Sequence, residues 1–270
     1  MNLKIARENE HEIWVYCPFH GPETEASMII NKAGEYAGKY RCFGCGEHGK
    51  AKDLGLDIKA KRVPKKRQKK DWYSIWNIYH AIGKLRDVNQ NNDLALEWYV
   101  SKKTLYNYGY GYNPEEKCHI IPMVNENLCI IGIQKRYDNG RKISIKGSRL
   151  GLFMHKDWAV LPKDTMYITE GASDCICCAD LGFTTIGRPS ATSCEDMVVN
   201  LCSIYVSKSS KIIIVADNDA PGMSGASNLQ SHLYRAGFKR VYFRIPRPHK
   251  DLRKMIEVEG KERVKQFLEK

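Results

Sequence analysis

Distinct rhythms of apolar and polar positions follow one another along the chain. Near the N-terminus, SMIIN and KYRC alternate over a few residues and predict short strands. Residues 72–106 carry apolar positions at helical spacing, in WYSIWNIYHAIGKL and again in LALEWYV, before YNYGYGYNP exits into a loop. CHIIPMV, LCIIGIQKRYD and RKISIK read as strands, with Asp138-Asn139-Gly140 as a tight hairpin turn. From residue 165 strands and helices alternate. TMYIT ends at Glu170-Gly171, and a helix runs through ASDCICCADLG. FTTIG ends at Gly187-Arg188-Pro189, and SCEDMVVNLC is helical. IIIVA is a third strand, GASNLQSHLYRAG a helix closed by Gly237, and RVYFRIP a fourth strand before His249-Lys250-Asp251. Strand–helix alternation predicts a parallel sheet covered on both faces, an α/β unit. The chain as a whole is then a multi-domain α+β protein.

The 270 residues are 43% apolar, enough for more than one packed core. The formal net charge of +12 favours a polyanionic partner, nucleic acid first and an anionic membrane surface second. No apolar run reaches the length of a membrane span, and MNLKIARENEHE lacks a signal-peptide core. Ten cysteines without a secretory signal imply reduced thiols in a cytoplasmic compartment, some of them on metal. Residues 59–70, KAKRVPKKRQKK, hold eight Lys or Arg and no acid. They read as a linker or arm able to touch phosphates.

Cys17-Pro-Phe-His20 and Cys42-Phe-Gly-Cys45 are paired knuckles separated by 21 residues that include the short strands. Four such ligands close a tetrahedral structural Zn²⁺ site in a module too small to fold without one. His48 competes with His20 as the fourth ligand; His20 has the two-residue spacer of a knuckle. Trp14, Tyr16, Phe19, Tyr36, Tyr40 and Phe43 surround these ligands and either pack there or stack on unpaired bases.

In KIIIVADNDAPG a buried strand delivers Asp217 and Asp219 to its C-terminal end, where open α/β sheets bind ligands. Carboxylates one residue apart on an extended chain point the same way and repel unless a cation lies between them. Mg²⁺, with hard oxygen ligands and substrate phosphates, suits that arrangement. Glu170 and Asp251 follow other strands of the same predicted sheet, and Asp174 lies one turn beyond Glu170. Cys175, Cys177 and Cys178 lack knuckle spacing and read as small core residues. Lys135, Arg136, Arg141, Lys142, Lys146 and Arg149 give the middle strands a basic face that only Asp138 balances.

These motifs together resemble one family. Glu-Gly after a strand, Asp-x-Asp after a later strand, and the downstream Lys250-Asp251 resemble the Toprim domain. The CPFH…CFGC ribbon resembles the zinc-binding domain of DnaG-type primases. LALEWYVSKKTLYNYGYGY and IIPMV…IIGIQKRYDNGRKISIKG are similar to the basic half of a primase core. The resemblance covers nearly the whole chain in order. It implies a zinc-ribbon DNA-binding domain at 1–56, a basic linker at 57–71, a basic subdomain of the core at 72–160 and a Toprim-like catalytic subdomain at 161–270. It implies a nucleotidyltransferase that makes RNA primers on single-stranded DNA from ribonucleoside triphosphates. Catalysis falls to Glu170, Asp217 and Asp219. Asp251 joins them on Mg²⁺ or Mn²⁺, while Asp174 and Lys250 are of second rank. Lys135, Arg136, Lys142 and Lys146 would hold template or nucleotide. A Toprim nuclease and a non-catalytic single-stranded DNA-binding protein are the alternatives. GRPSATS departs from the Gly-Thr frequent in relatives, and no Gly-x4-Gly-Lys-[Ser/Thr] helicase motif is present. A short primase of a phage or mobile element, served by a separate helicase, is the expectation.

Overall fold

The computed structural model describes residues 3–34, 36–56, 58, 70–89 and 93–270. The basic run at 59–69 therefore lies outside the described residues. The chain divides into two compact units, Met1–Lys69 and Lys70–Lys270.

The first unit is an antiparallel meander of β1 (Ile5–Glu8), β2 (Glu12–Val15), β3 (Met28–Asn31), β4 (Lys39–Cys42) and β5 (His48–Lys50), in that spatial order. Its core is small: Val15, Met28, Ile30 and Cys42 are fully enclosed, with Ala51 and Leu54 of a 3₁₀ turn beneath them.

The second unit opens at Lys70. Asp71 accepts from the Ser74 backbone and hydroxyl (3.1 and 2.6 Å) and so starts α1 (Trp72–Asn89). The helical pattern expected through residue 106 is broken. It yields α1, α2 (Asp93–Glu97) and α3 (Lys102–Asn107), with Tyr99 in the left-handed region and Ser101 capping α3 through Thr104 N–H. An antiparallel sheet follows, of β6 (Gly111–Asn113), β7 (Cys118–Val124), β8 (Ile130–Arg136) and β9 (Lys142–Ser144). The predicted turn between β8 and β9 is present: Gly140 has φ +81° and donates to Tyr137 O.

The last sheet has the spatial order β10 (Phe153–Met154), β12 (Thr185–Arg188), β11 (Thr165–Glu170), β13 (Lys211–Val215), β14 (Val241–Arg244). The last four strands are parallel, and β10 is an antiparallel edge contributed from upstream of residue 161. Side chains alternate between its faces, as the two-residue strand period requires. Met166, Ile168, Ile212 and Ile214 pack toward α5 (Glu195–Tyr205) and α6 (Ala220–Arg235). Tyr167, Ile213 and Val215 pack toward α4 (Gly171–Asp180), α7 (Leu252–Glu259) and α8 (Lys261–Glu269). Leu94, Trp98 and Ile121 belong to that second layer, which ties the basic middle of the chain to the parallel sheet. Cys175, Cys177 and Cys178 are buried in it as core residues.

Candidate functional site

In the first unit, Cys17, His20, Cys42 and Cys45 bring their donor atoms within 4.8 Å of one another. His48 is outside the set; its Nδ1 lies 3.2 Å from Gly46 O. The backbone N–H groups of Gly44 and Cys45 point at Cys42 Sγ (3.3 and 3.4 Å), the usual wrap of a knuckle around its thiolate. Burial alone would raise the Cys42 thiol. The Ser27 hydroxyl, the His20 ring and those backbone donors outweigh it and bring the pKa down to about 6. A Cβ at Gly44 would stand 2.9 Å from His20 Nε2, so a larger residue there would press on that ligand. Two residues outside the ligand set brace it. Glu23 accepts from Cys17 N–H at 2.6 Å and from the Ser27 hydroxyl at 2.5 Å. Ser27 Oγ in turn lies 3.2 Å from Cys42 Sγ and from His20 Nε2. Two-residue spacing signalled the ligands; nothing in the local pattern marked Glu23 or Ser27.

In the second unit the parallel strands end together. Glu170 is in register with Arg188, and Val215 with Arg244. Asn218 N–H donates to Lys250 O at 2.7 Å, joining the loop after β13 to the loop after β14. Glu170, Asp217, Asp219 and Asp251 thus arrive at one carboxyl edge. Asp219 caps α6 by accepting from Gly222 N–H (2.8 Å), and Asp251 caps α7 by accepting from Lys254 N–H (2.7 Å). Asp174 is almost fully buried and accepts from Leu252 and Arg253 N–H (3.2 and 3.3 Å), so it anchors the same α7 terminus.

Burial and mutual repulsion both act on these acids. Asp217 is raised to about 7, first by loss of water and then by Glu170, Asp251 and Asp219, while Lys250 opposes the shift. Asp174 is raised to about 8, first by burial and then by Asp251 and Asp217. Glu170 is raised by burial, with Arg188 pulling the other way and Asp219 adding repulsion. Glu170 Oε1 is buried without a hydrogen-bond partner among the described residues, an orphan that a cation would satisfy. Among the described residues the acids do not group as closely as the Cys/His set. Arg188 marks only a strand end in the sequence pattern. It is fully buried beside Glu170, 3.8 Å from Glu195, and its Nε and Nη1 have no hydrogen-bond partner among the described residues.

The basic strands divide in a way the sequence reading did not foresee. Asp138 is not their sole counter-charge: Lys135 pairs with Glu116 at 2.6 Å, and Arg136 with Glu97 at 2.5 Å. Adjacent residues on β8 face opposite sides. Arg136 is in register with Lys142 on β9, whereas Lys135 is in register with Ile143. Lys142 is exposed as a residue, yet its ammonium reaches the acidic edge, 3.8 Å from where a Cβ at Gly171 would stand. Lost hydration holds that ammonium below the ordinary lysine range. Arg136 adds to the effect, and Asp174 and Asp217 oppose it. Lys146 is exposed, and its carbonyl accepts from Lys70 Nζ at 2.7 Å. Lys250 is exposed beside Asp217.

Comparison with known proteins agrees with this architecture. Residues 2–71 match the CHC2 zinc finger family, and residues 167–256 match the Toprim-like family. The DNA primase of Clostridium acetobutylicum is 22% identical over 94% of this chain, and the match spans 53% of that relative's length. The chain thus spans about half the length of the curated relative it matches. Among solved structures, the zinc-binding and RNA polymerase domains of Aquifex aeolicus primase superpose with a TM-score of 0.57 at 18% identity, covering 100% of this chain and 80% of theirs. A DnaG primase catalytic domain bound to single-stranded DNA gives a TM-score of 0.56 at 14% identity, covering 73% of this chain and 79% of that one. At these identities the structural likeness is one of fold. Fold and matched modules define a Toprim protein with an N-terminal zinc ribbon. Within that class the chain is similar to the DnaG-type primases. Among the described residues no helix is long and apolar enough to cross a membrane.

Proposed function

We propose that the chain synthesises short RNA primers on single-stranded DNA from ribonucleoside triphosphates, working with a replicative helicase that exposes the template. The observation that carries this reading is the acidic carboxyl edge, with its orphaned Glu170 Oε1, facing the Lys142 ammonium. Asp217 and Asp219 are the principal holders of Mg²⁺ or Mn²⁺, with Asp251 assisting. The metal, when bound, neutralises charge developing on the transferred phosphate and lowers the pKa of the attacking 3′ hydroxyl. Glu170 contacts the metal or takes the proton from that hydroxyl, and its buried, unpartnered Oε1 supports such a role. Lys142 and Arg136 face the same side and hold the triphosphate. Lys135 and Lys146 are left to template phosphates. The zinc ribbon presents Trp14 stacked on Phe43 (centroids 5.9 Å apart), with Arg7 and Arg41 over those rings. Phe43 is 62% exposed, which suits stacking on a template base.

The test is Mg²⁺-dependent incorporation of labelled ribonucleotides on single-stranded DNA. Asp217→Ala and Asp219→Ala are expected to remove it. Wild-type synthesis by either variant overturns the metal assignment. Nicking of DNA without ribonucleotides would replace priming by a Toprim nuclease activity, and DNA binding without synthesis would leave a binding protein.

A further inference from the structure

Glu97, at the end of α2, holds two arginines with one oxygen. Its Oε1 lies 2.5 Å from Arg136 Nη2 and 4.0 Å from Arg253 Nη1. Neither arginine is there by accident of solvation. Arg136 keeps only 12% of its side-chain surface exposed, and its guanidinium lies over the buried Trp98 ring, 5.2 Å from the centroid. Arg253 is in the first turn of α7, whose N-terminus Asp174 anchors and Asp251 caps. Lys142 is the register partner of Arg136 on β9 and completes a group of three cations. The acids on the other side of Lys142 are Asp174 and Asp217.

An exposed glutamate bridging two guanidinium groups occupies the place of an oxyanion. Guanidinium binds phosphate and carboxylate through the same donors, and phosphate, with more charge and more oxygens, competes well. The carboxylate is 43% exposed, so an incoming anion can displace it into water. Metal-binding acids on one side and cations on the other is the charge pattern that a metal-bound polyphosphate requires.

We infer that Arg253, with Arg136 and Lys142, forms the binding site for the phosphates of the incoming ribonucleoside triphosphate, and that Glu97 fills this site until the nucleotide displaces it. The inference rests on the priming reading above. It adds Arg253 as a phosphate-binding residue and Glu97 as a competing acid. Both lie outside the acidic and basic motifs that the sequence pattern marked.

Template DNA carries the same phosphate chemistry, so the experiment has separate arms. The full chain is titrated with a fluorescent ATP analogue and Mg²⁺ in the absence of template, and with fluorescent oligo(dT) in the absence of nucleotide. Arg253→Gln is expected to weaken ATP binding about tenfold, the scale of one charge-assisted contact, with Arg253→Lys recovering part of the loss. Glu97→Gln is expected to tighten ATP binding by about threefold, since it removes a competing ion pair. In primer synthesis Arg253→Gln raises KM for nucleotide and changes kcat much less. Wild-type ATP affinity in Arg253→Gln overturns the inference, as does a loss confined to oligo(dT). Weakened ATP binding in Glu97→Gln also overturns it, because Glu97 would then be a structural brace. An Arg253-dependent ATP site in a chain that makes no primers would sustain the site and remove the priming reading.

Discussion

Asp217 and Asp174 are the acids whose charge burial opposes most strongly. An acid whose pKa is raised by folding binds more protons in the native chain than in the unfolded one. Stability then falls as pH rises from the ordinary carboxylate value to the raised one. With Asp217 at about 7 and Asp174 at about 8, the window runs from about pH 4 to about pH 8. Without added Mg²⁺ the second unit should therefore melt at a lower temperature near pH 8 than near about pH 6. Added Mg²⁺ should raise the melting temperature more at the higher pH, because there the ion meets carboxylates already ionised. Thermal scans at both values, with and without Mg²⁺, decide this. An equal Mg²⁺ shift at both would mean that these acids do not hold the ion. Asp217→Asn should flatten the dependence. Neither shift was legible in the sequence, which shows that the acids exist but not how much water reaches them.

At the scale of elements, Asp219 and Asp251 cap helices as well as standing among the proposed metal-binding acids, and the two roles can be separated. Asp219 accepts from Gly222 N–H at the start of α6. Asparagine caps a helix about as well as aspartate, whereas alanine costs about 1 kcal/mol. Asp219→Asn should therefore keep the melting temperature and lose synthesis by on the order of a hundredfold. Asp219→Ala should lose both. An Asn variant with wild-type rate would show Asp219 to be a cap and nothing more. The strands that carry these residues were readable because a strand buried on both faces is a continuous apolar run, as in Ile212–Val215. What was not readable depends on register. Arg188 acquires meaning only because β11 and β12 align it with Glu170. Lys135 and Arg136 look equivalent in sequence, yet one points to Glu116 and the other to Glu97. The break after α2 had no glycine or proline to announce it; Tyr99 makes the turn at φ 56°.

For the whole molecule, the distribution of cores predicts what metal loss does. The first unit encloses a handful of apolar side chains around Val15, Met28 and Ile30. A core of that size does not outweigh chain entropy without help, so zinc binding supplies much of its folding energy. The second unit has separate cores on both faces of its parallel sheet, built from residues that owe nothing to the zinc ligands. Cys17→Ser, which removes one ligand, should leave residues 1–69 open to protease while 70–270 stay resistant and still bind ATP. If both units become sensitive together, the division into independent cores is wrong. Glu23 and Ser27 allow a finer version of the same test. They brace Cys17 and Cys42 without being ligands, and partners of that kind are worth about ten- to hundredfold in metal affinity. Ser27→Ala should therefore hold zinc more weakly against a chelator, with the ligand set unchanged in a Co²⁺ absorption spectrum. A changed Co²⁺ spectrum would mean that Ser27 alters the ligand set itself. Unchanged zinc release would mean that the network through Glu23 holds the loop and not the metal.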